Sequence, residues 1–436
     1  MIKQLISDLI KLNINLLGSG YDSALQYLSQ LIGFDQIINI PSGTKLETWT
    51  VPDEWIPKEA WVKFNGEKII EWKNDLTLMV YSQPFQGKIT RDELKKHLYI
   101  NKDLPNAIPY QYSFYEPKWG FCLPANKVYK KELVVDGNNS SVEKEIDALP
   151  EGEYEVFIDT EFKPGVMKIG VHTVKGKTDR EILLFAHLDH PYQANDNLSG
   201  VACLTDLALR LKDKYEHTIK IVFCPETIGS IGYALTQDIS KVDFMIAVDI
   251  CGNNGDPTVQ WAFDDASRLN KIAHLALMEG EESFNMNRFR ASIGSDEYVF
   301  NDPKIGIPGL LITRYPYDQY HTSEDTVEII NEEKIKLTQV LIENIIRVYE
   351  EDFIPVRNFK APLFRSKYKV QTPVKDINLT LDYFIYNMDG NKWLSEIADI
   401  SKMNWRFSKD LIIKLEEDGI VSRFTPVQKR KQKITK

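Results

Sequence analysis

Between positions 187 and 196 the chain places His187, Asp189, His190 and Asp196, in the stretch AHLDHPYQANDNLSG, although it holds only seven histidines in 436 residues. Imidazoles and carboxylates at that density can bind a divalent metal, share a proton in acid/base catalysis, or line a polar loop. Three more residues of the same types follow: Glu226 in FCPETIGSIGYA, Asp249 in DFMIAVDI and His321 in YDQYHTSEDT.

What these residues can do depends on the elements that carry them. EILLFAHL (181–188), TIKIVFC (218–224), DFMIAVDI (243–250) and PGLLITRY (308–315) are near-continuous apolar runs, as strands buried on both faces require. Between them, Val201, Leu204, Ala208 and Leu211 share one helical face and Ile272, Leu275 and Met278 another, and a long helix is predicted over 332–351. The alternation predicts an α/β domain, a mainly parallel mixed sheet sandwiched by helices. Ligands bind such sheets at the carboxyl ends of the strands. His187 and Asp189 end the first strand, Asp196 follows a short loop ahead of a helix, Glu226 and Asp249 end the next two, and His321 lies just past the fourth. All the candidates fall on one edge of one sheet.

The flanks differ in character. Residues 1–35 read as two amphipathic helices separated by GSGYDS. From Thr48 to about Ala148, the stretches AWVKFN, KIIEWK, LTLMVYSQPF and KELVVDG, with turn signals at Asn65-Gly66 and Asp136-Gly137, predict a β-rich insert with one short helix at TRDELKKHL. PVRNFKAP (355–362) reads as a linker, and 391–424 as helix, turn, helix and strand, a succession that resembles a winged helix. The expected division is 1–50 plus 150–355 for the α/β domain, 51–149 for the insert and 360–436 for the C-terminal unit.

Composition narrows the classes. A net charge of −10 gives no global attraction to nucleic acid or to an anionic membrane. No apolar run is long enough to span a bilayer, and the N-terminal stretch lacks the form of a signal peptide. Cys122, Cys203, Cys224 and Cys251 lie far apart without metal-ligand spacing, which suits a reducing compartment. A cytoplasmic protein is the expectation. Over 376–428 acidic residues outnumber basic ones, and the candidate recognition helix ends in Glu416-Glu417-Asp418. That surface repels phosphates, so the C-terminal unit is expected to pack or oligomerise and not to bind nucleic acid; the basic tail KRKQKITK is the opposing feature.

Five motifs in order carry a resemblance. His187-Leu-Asp189, Asp196-Asn-Leu-Ser199-Gly200, Glu226-Thr-Ile-Gly229-Ser-Ile-Gly232, Asp249 and Tyr320-His321-Thr322 resemble the zinc peptidases of the bacterial leucyl aminopeptidase and glutamate carboxypeptidase type, over roughly residues 150–350. More narrowly, NAIPYQYSFYEPKWGFCL, ANDNLSG, PETIGSI, and GSDE with YHTSEDT resemble a bacterial aminopeptidase-like family with an inserted β-rich domain and a C-terminal winged helix. The resemblance implies that His187 and Asp249 hold one zinc, that His321 helps hold a second, and that Asp196 bridges the two. It implies that Asp189 stands behind His187 and fixes its tautomer, and that Glu226 takes the proton from the attacking water.

Each residue also has a plainer role. His187 or Asp249 could bond a loop, Asp196 could cap the following helix, and His321 could sit in a turn. The chain departs from the family at Thr227, where a second glutamate would be a metal ligand. One zinc held by His187, Asp196 and either His321 or Asp249 therefore serves as well as two. His190, Tyr320 and Tyr115 are the candidates for substrate contact. Tyr110, Tyr112, Tyr115 and Trp119 read first as the core of the β insert and second as a roof over the cleft.

The function expected is a zinc-dependent aminopeptidase-like hydrolase acting on a small peptide or amide, with Glu226 as general base. A metal-dependent amidase or cyclase on a non-peptide substrate is the alternative among enzymes, since the scaffold also resembles glutaminyl cyclases. A degenerate peptidase serving as a ligand sensor is the alternative outside them. A homo-oligomer stays open.

Overall fold

The computed structural model describes residues 1–135, 141–211, 215–280, 283–370 and 377–425. The Asp136-Gly137 turn signal and the basic tail lie outside the described residues. The four apolar runs become neighbouring parallel strands, Thr218–Cys224, Glu181–His187, Val242–Val248 and Gly309–Thr313, in that spatial order. The sheet is extended to eight strands by Val166–Val174 and Gln36–Pro41 on one side, both antiparallel, and by Thr258–Gln260 and Asn285–Asn287 on the other. In the central register Glu181 lies opposite Thr218 and His187 opposite Cys224, so the strands end level with one another.

Successive side chains of a strand point to opposite faces, and the chain uses both faces for core. Ile182, Leu184 and Ala186, with Phe244, Ile246 and Val248, are buried with helices Ile2–Leu9, Ser199–Arg210, Arg268–Gly280 and Glu332–Glu351. That core continues through Ile397, Trp405 and Leu415 into the C-terminal helices. Leu183, Phe185, Met245 and Ala247 face the other way, into a second core shared with Trp55, Val62, Phe121, Tyr154 and Val156. The satellite regions therefore clamp the sheet from opposite faces.

Within 51–163, strands Glu54–Phe64 and Glu67–Glu71 form a hairpin through Asn65-Gly66, with φ of 51° and 86°; two left-handed residues in a two-residue loop match the twist of the strands. They join Glu153–Lys163 and Phe85–Thr90 in a four-stranded sheet. The expected strand LTLMVYSQPF is not a strand over most of its length. It makes isolated bridges, Leu78 to Phe121 and Val80 to Tyr112, while Leu76, Leu78, Met79, Val80 and Tyr81 are all buried. Burial on every side, without a ladder, produces the same apolar run.

Two other boundaries move. GSGYDS does not separate the first two helices; Ser19 already begins helix Ser19–Ile32. A Cβ at Gly20 would come within 2.1 Å of the Asn13 carbonyl oxygen, so the glycine there serves close packing. The expected linker begins as strand Ile354–Arg357, antiparallel to Val421–Phe424. The C-terminal region thus has helices Ile377–Asn387, Leu394–Ile400 and Trp405–Glu417, closed by a strand that pairs with the chain leaving the long helix.

Candidate metal centre

The carboxyl ends of the central strands bring the expected residues together. His187 ends its strand and is 1% exposed, and Asp196, in the loop before helix Ser199–Arg210, is equally buried. His187 Nε2 and His190 Nδ1 each lie 3.1 Å from Asp196 Oδ1, and His321 Nε2 lies 2.9 Å from Asp196 Oδ2. Asp249, just past strand Val242–Val248, sets its Oδ1 4.0 Å from His187 Nε2. Glu226 Oε2 is 3.5 Å from His190 Nε2. His190, which the sequence leaves open between a substrate contact, a support behind the metal ligands and a plain surface histidine, is buried in the middle of the group.

Loops hold this arrangement by hydrogen bonds. Asn197 is the hinge pin: its amide donates to the Val248 carbonyl (2.8 Å), and its oxygen accepts from the N–H groups of Gly200 (3.0 Å) and Ile250 (3.3 Å). Asp325 accepts from the N–H groups of Asn195 (2.7 Å) and Asp196 (3.1 Å) and from the Tyr317 hydroxyl (2.6 Å). Thr227, Ile250 and His321 have φ of 62°, 51° and 52°. Non-glycine residues rarely adopt that conformation, least of all β-branched ones, and such strain collects at functional sites.

Two expected contacts are arranged differently. Asp189 does not bond His187; its Oδ1 accepts from the N–H of Glu226 (3.0 Å), and His187 Nδ1 instead faces the Ser295 hydroxyl at 3.4 Å. Asp189 thus anchors the loop that carries Glu226. Thr227 brings no carboxylate to the group, and its N–H donates to Asp296 Oδ1 (2.9 Å).

The charges do not neutralise one another. Burial opposes a charge on Asp196, but His190, His187 and His321 outweigh it and hold its carboxyl well below the usual range. Burial pushes Asp249 well above that range, against the pull of His187. Burial likewise works against protonation of His187, yet Asp249, Glu226 and Asp196 push it up to about 10. Burial raises and the neighbouring histidines lower Glu226, and the histidines prevail. Among the described residues, His190 Nδ1, Asp196 Oδ2, Asp249 Oδ1 and His321 Nε2 are buried, and although His190 and His321 stand at ion-pair distance from Asp196, none of the four makes a well-directed hydrogen bond. Native proteins pair nearly all such atoms. Imidazole nitrogens and carboxylate oxygens crowded together in a buried site without well-directed hydrogen bonds fit a divalent cation, and this donor set suits zinc.

Beside the group a cavity of about 320 Å³ opens between the carboxyl edge of the sheet and the β-rich region. Asp189, His190, Glu226 and Thr227 form its floor, and Trp49, Tyr112, Phe114 and Tyr115 line the rest. The aromatic cluster of the insert divides between both expected roles. Tyr110 is buried, and Trp119 stacks on His97 (3.6 Å between ring centres), whereas Tyr112 and Tyr115 are 47% and 51% exposed over the cavity. Tyr115 donates its hydroxyl to the Thr50 carbonyl (3.0 Å), and Tyr320 stacks on His321 at 3.9 Å.

The role of Tyr110 was not visible in the sequence. Its N–H donates to the His321 carbonyl (2.8 Å), Ser323 N–H donates to the Ile108 carbonyl (2.8 Å), and the Tyr110 ring lies 5.1 Å from His321 and 5.3 Å from His190. The insert is stitched to the loop that carries His321. Asp325, in YHTSEDT, was equally silent, because a loop-anchoring carboxylate has no spacing signature.

Fold and site together define an aminopeptidase-like α/β architecture. A zinc aminopeptidase of Bacillus subtilis shares the fold with a TM-score of 0.56 at 14% identity, over 79% of this chain and 93% of that one. A crystal structure from Clostridium acetobutylicum, provisionally described as a peptidase, superposes with a TM-score of 0.77 at 29% identity over 97% of this chain and 96% of that one. A Clostridium acetobutylicum protein described as a polysaccharide biosynthesis protein with an aminopeptidase-like domain is 33% identical over 340 residues, 76% of this chain and 74% of the relative. Residues 3–352 match a domain of unknown function, DUF4910, and the chain belongs to that family.

Proposed function

We propose that the protein is a zinc-dependent, aminopeptidase-like hydrolase that cleaves a peptide or amide bond. The observation that carries this reading is the buried group of unpaired imidazole and carboxylate atoms beside Glu226, at the floor of an open cavity. His187, His190, Asp196, Asp249 and His321 are the residues that would hold the metal. Zinc held there would supply Lewis acidity, polarising a substrate carbonyl and lowering the pKa of a water.

The chain's own groups supply the rest. Glu226, kept anionic by His187 and His190, accepts the proton of the attacking water and returns it to the departing amine. Asp189 fixes the backbone of Glu226 so that the carboxylate stays at the cavity floor. The strained loops at Thr227, Ile250 and His321, tied down by Asp296, Asn197 and Asp325, keep the group assembled.

Among the described residues lining the cavity none is Lys or Arg, whereas Asp189, Glu226 and Glu116 are present. Such a lining repels a terminal carboxylate and accommodates an amine, with aromatic faces that attract a cation. This favours the aminopeptidase type over the carboxypeptidase type.

In this reading the α/β domain comprises 1–50 and 164–355, the insert, which extends past the expected 149 to include strand Glu153–Lys163, roofs the site, and 360–436 is a winged-helix unit that packs against the α/β domain. Among the described residues no helix is long and apolar enough to cross a membrane. The four buried, unpaired cysteines suit a cytoplasmic setting.

Thr227 favours a second reading, an amidase or cyclase on a non-peptide substrate, because a ligand set lacking one carboxylate departs from that of the zinc peptidases resembled. The test is hydrolysis of aminoacyl arylamides by the zinc-loaded protein and by Glu226→Gln. Turnover that falls about 10³-fold in the variant, with zinc content unchanged, is the expected result. Equal turnover in both proteins removes Glu226 as the base, and absent turnover by the wild type moves the assignment to the second reading.

A further inference from the structure

The group around Asp196 is lopsided. On the side of Oδ1, His187 Nε2 and His190 Nδ1 each stand 3.1 Å away, and Asp249 Oδ1 is 4.0 Å from His187 Nε2. Donors about a tetrahedral zinc with bonds of 2.0–2.2 Å stand roughly 3.3–3.6 Å from one another. Both distances to Asp196 are thus close to the edge of one coordination tetrahedron, and His187, His190 and Asp196 are the three residues whose ligand atoms lie within mutual reach of a single ion.

On the side of Oδ2 the described residues offer only His321 Nε2, at 2.9 Å. The nearby groups are committed elsewhere. The Thr227 N–H is bonded to Asp296, its backbone is held at φ 62°, and its hydroxyl is not among the nitrogen, thiolate and carboxylate donors that zinc takes. Both oxygens of Asp325 accept from backbone N–H groups. One imidazole and one carboxylate oxygen are too few for an ion that takes four donors.

We infer that the centre holds a single zinc ion, on the Oδ1 side of Asp196, with His190 as a ligand beside His187 and with His321 acting only through Asp196. The inference rests on the metallohydrolase reading and changes its stoichiometry and ligand set. It also gives His190 a second task. If Nδ1 faces the ion, the ring proton sits on Nε2, which points at Glu226 Oε2 3.5 Å away. The same ring then binds the metal and orients the base, with no second ion needed to do so.

The test is zinc binding to the metal-stripped full chain by calorimetry, with metal content after dialysis and X-ray absorption of the loaded protein as independent readings. Wild type is expected to take up one equivalent, with scattering from two imidazoles. His190→Ala is expected to lose at least ~100-fold in affinity and one imidazole, more than the ~10–100-fold typical of an outer partner. His321→Ala is expected to keep one equivalent and both imidazoles, with the smaller loss. Two equivalents of similar affinity in the wild type, or wild-type affinity in a folded His190→Ala, overturn the inference. One zinc bound through His190 without any hydrolysis leaves the inference standing and removes the hydrolase reading; two zincs with hydrolysis do the reverse.

Discussion

The two ends of the same parallel strands each carry a cluster of histidine and carboxylates, half-buried at the amino end and buried at the carboxyl end, and the clusters are built on opposite rules. At the amino end, His217 bonds Glu350 through Nδ1 (3.0 Å) and Asp243 through Nε2 (2.9 Å), and its backbone N–H donates to Glu350 as well. Asp243 is further bonded by Arg180. Both ring nitrogens of His217 are paired. At the carboxyl end, four nitrogen and oxygen atoms of His190, Asp196, Asp249 and His321 are buried and, among the described residues, stand near one another without a well-directed hydrogen bond. Residue types alone do not separate structure from function; the completeness of pairing does. In the proposed reading the first cluster stabilises the fold by itself, and a cation completes the second.

The comparison can be broken from either side. The largest effect on stability is expected at the amino end. His217→Ala leaves Glu350 without its ring partner and Asp243 with Arg180 alone, and the loss of two charge-assisted hydrogen bonds should show in urea unfolding as about 3 kcal/mol with zinc affinity unchanged. A loss below ~1 kcal/mol would place the cluster with weak surface pairs.

A somewhat smaller effect follows from pH. Burial opposes the proton on His217, but Asp243 and Glu350 push its pKa up to about 9, above the usual histidine value. A raised folded pKa means the contribution is complete below about pH 6.5 and is lost as pH rises through about 9. Stability of the wild type should therefore fall by about 2 kcal/mol between those values, and His217→Gln should flatten the curve. An equal slope in the variant removes His217 as its source.

The smallest effect is at the other end. Burial penalises the Asp249 carboxylate, so Asp249→Asn should raise the Tm of the metal-free protein by about 1–3 °C while weakening zinc binding. A lowered Tm would mean that the carboxylate stabilises the fold after all.

Much of the fold and part of the site could be read directly from the sequence. Strands 181–187, 218–224, 242–248 and 309–313 and the helix at 332–351 are long, periodic and flanked by clear breaks, so their pattern is decided locally. His187, Asp196, Glu226, Asp249 and His321 converge because strand ends in a parallel sheet lie level. Loop paths are another matter. His190 enters the centre, and Asp189 leaves His187 for Glu226, through turns that no periodicity encodes. Tyr110 reaches His321 only because two regions about 200 residues apart pair backbones. The stretch 355–357 reads as a linker in isolation and becomes a strand because residues 421–423 return to it.

The central claim is that the unpaired cluster is a metal site and the paired one is not. Thermal unfolding of the metal-stripped protein, with and without zinc, tests it most directly. Zinc at about 100 times its dissociation constant adds about 2.7 kcal/mol to the native state. The wild type and His217→Ala should both show that gain in Tm, and Asp196→Ala should show none. A zinc-dependent gain that survives Asp196→Ala, or its absence in the wild type, would contradict the account.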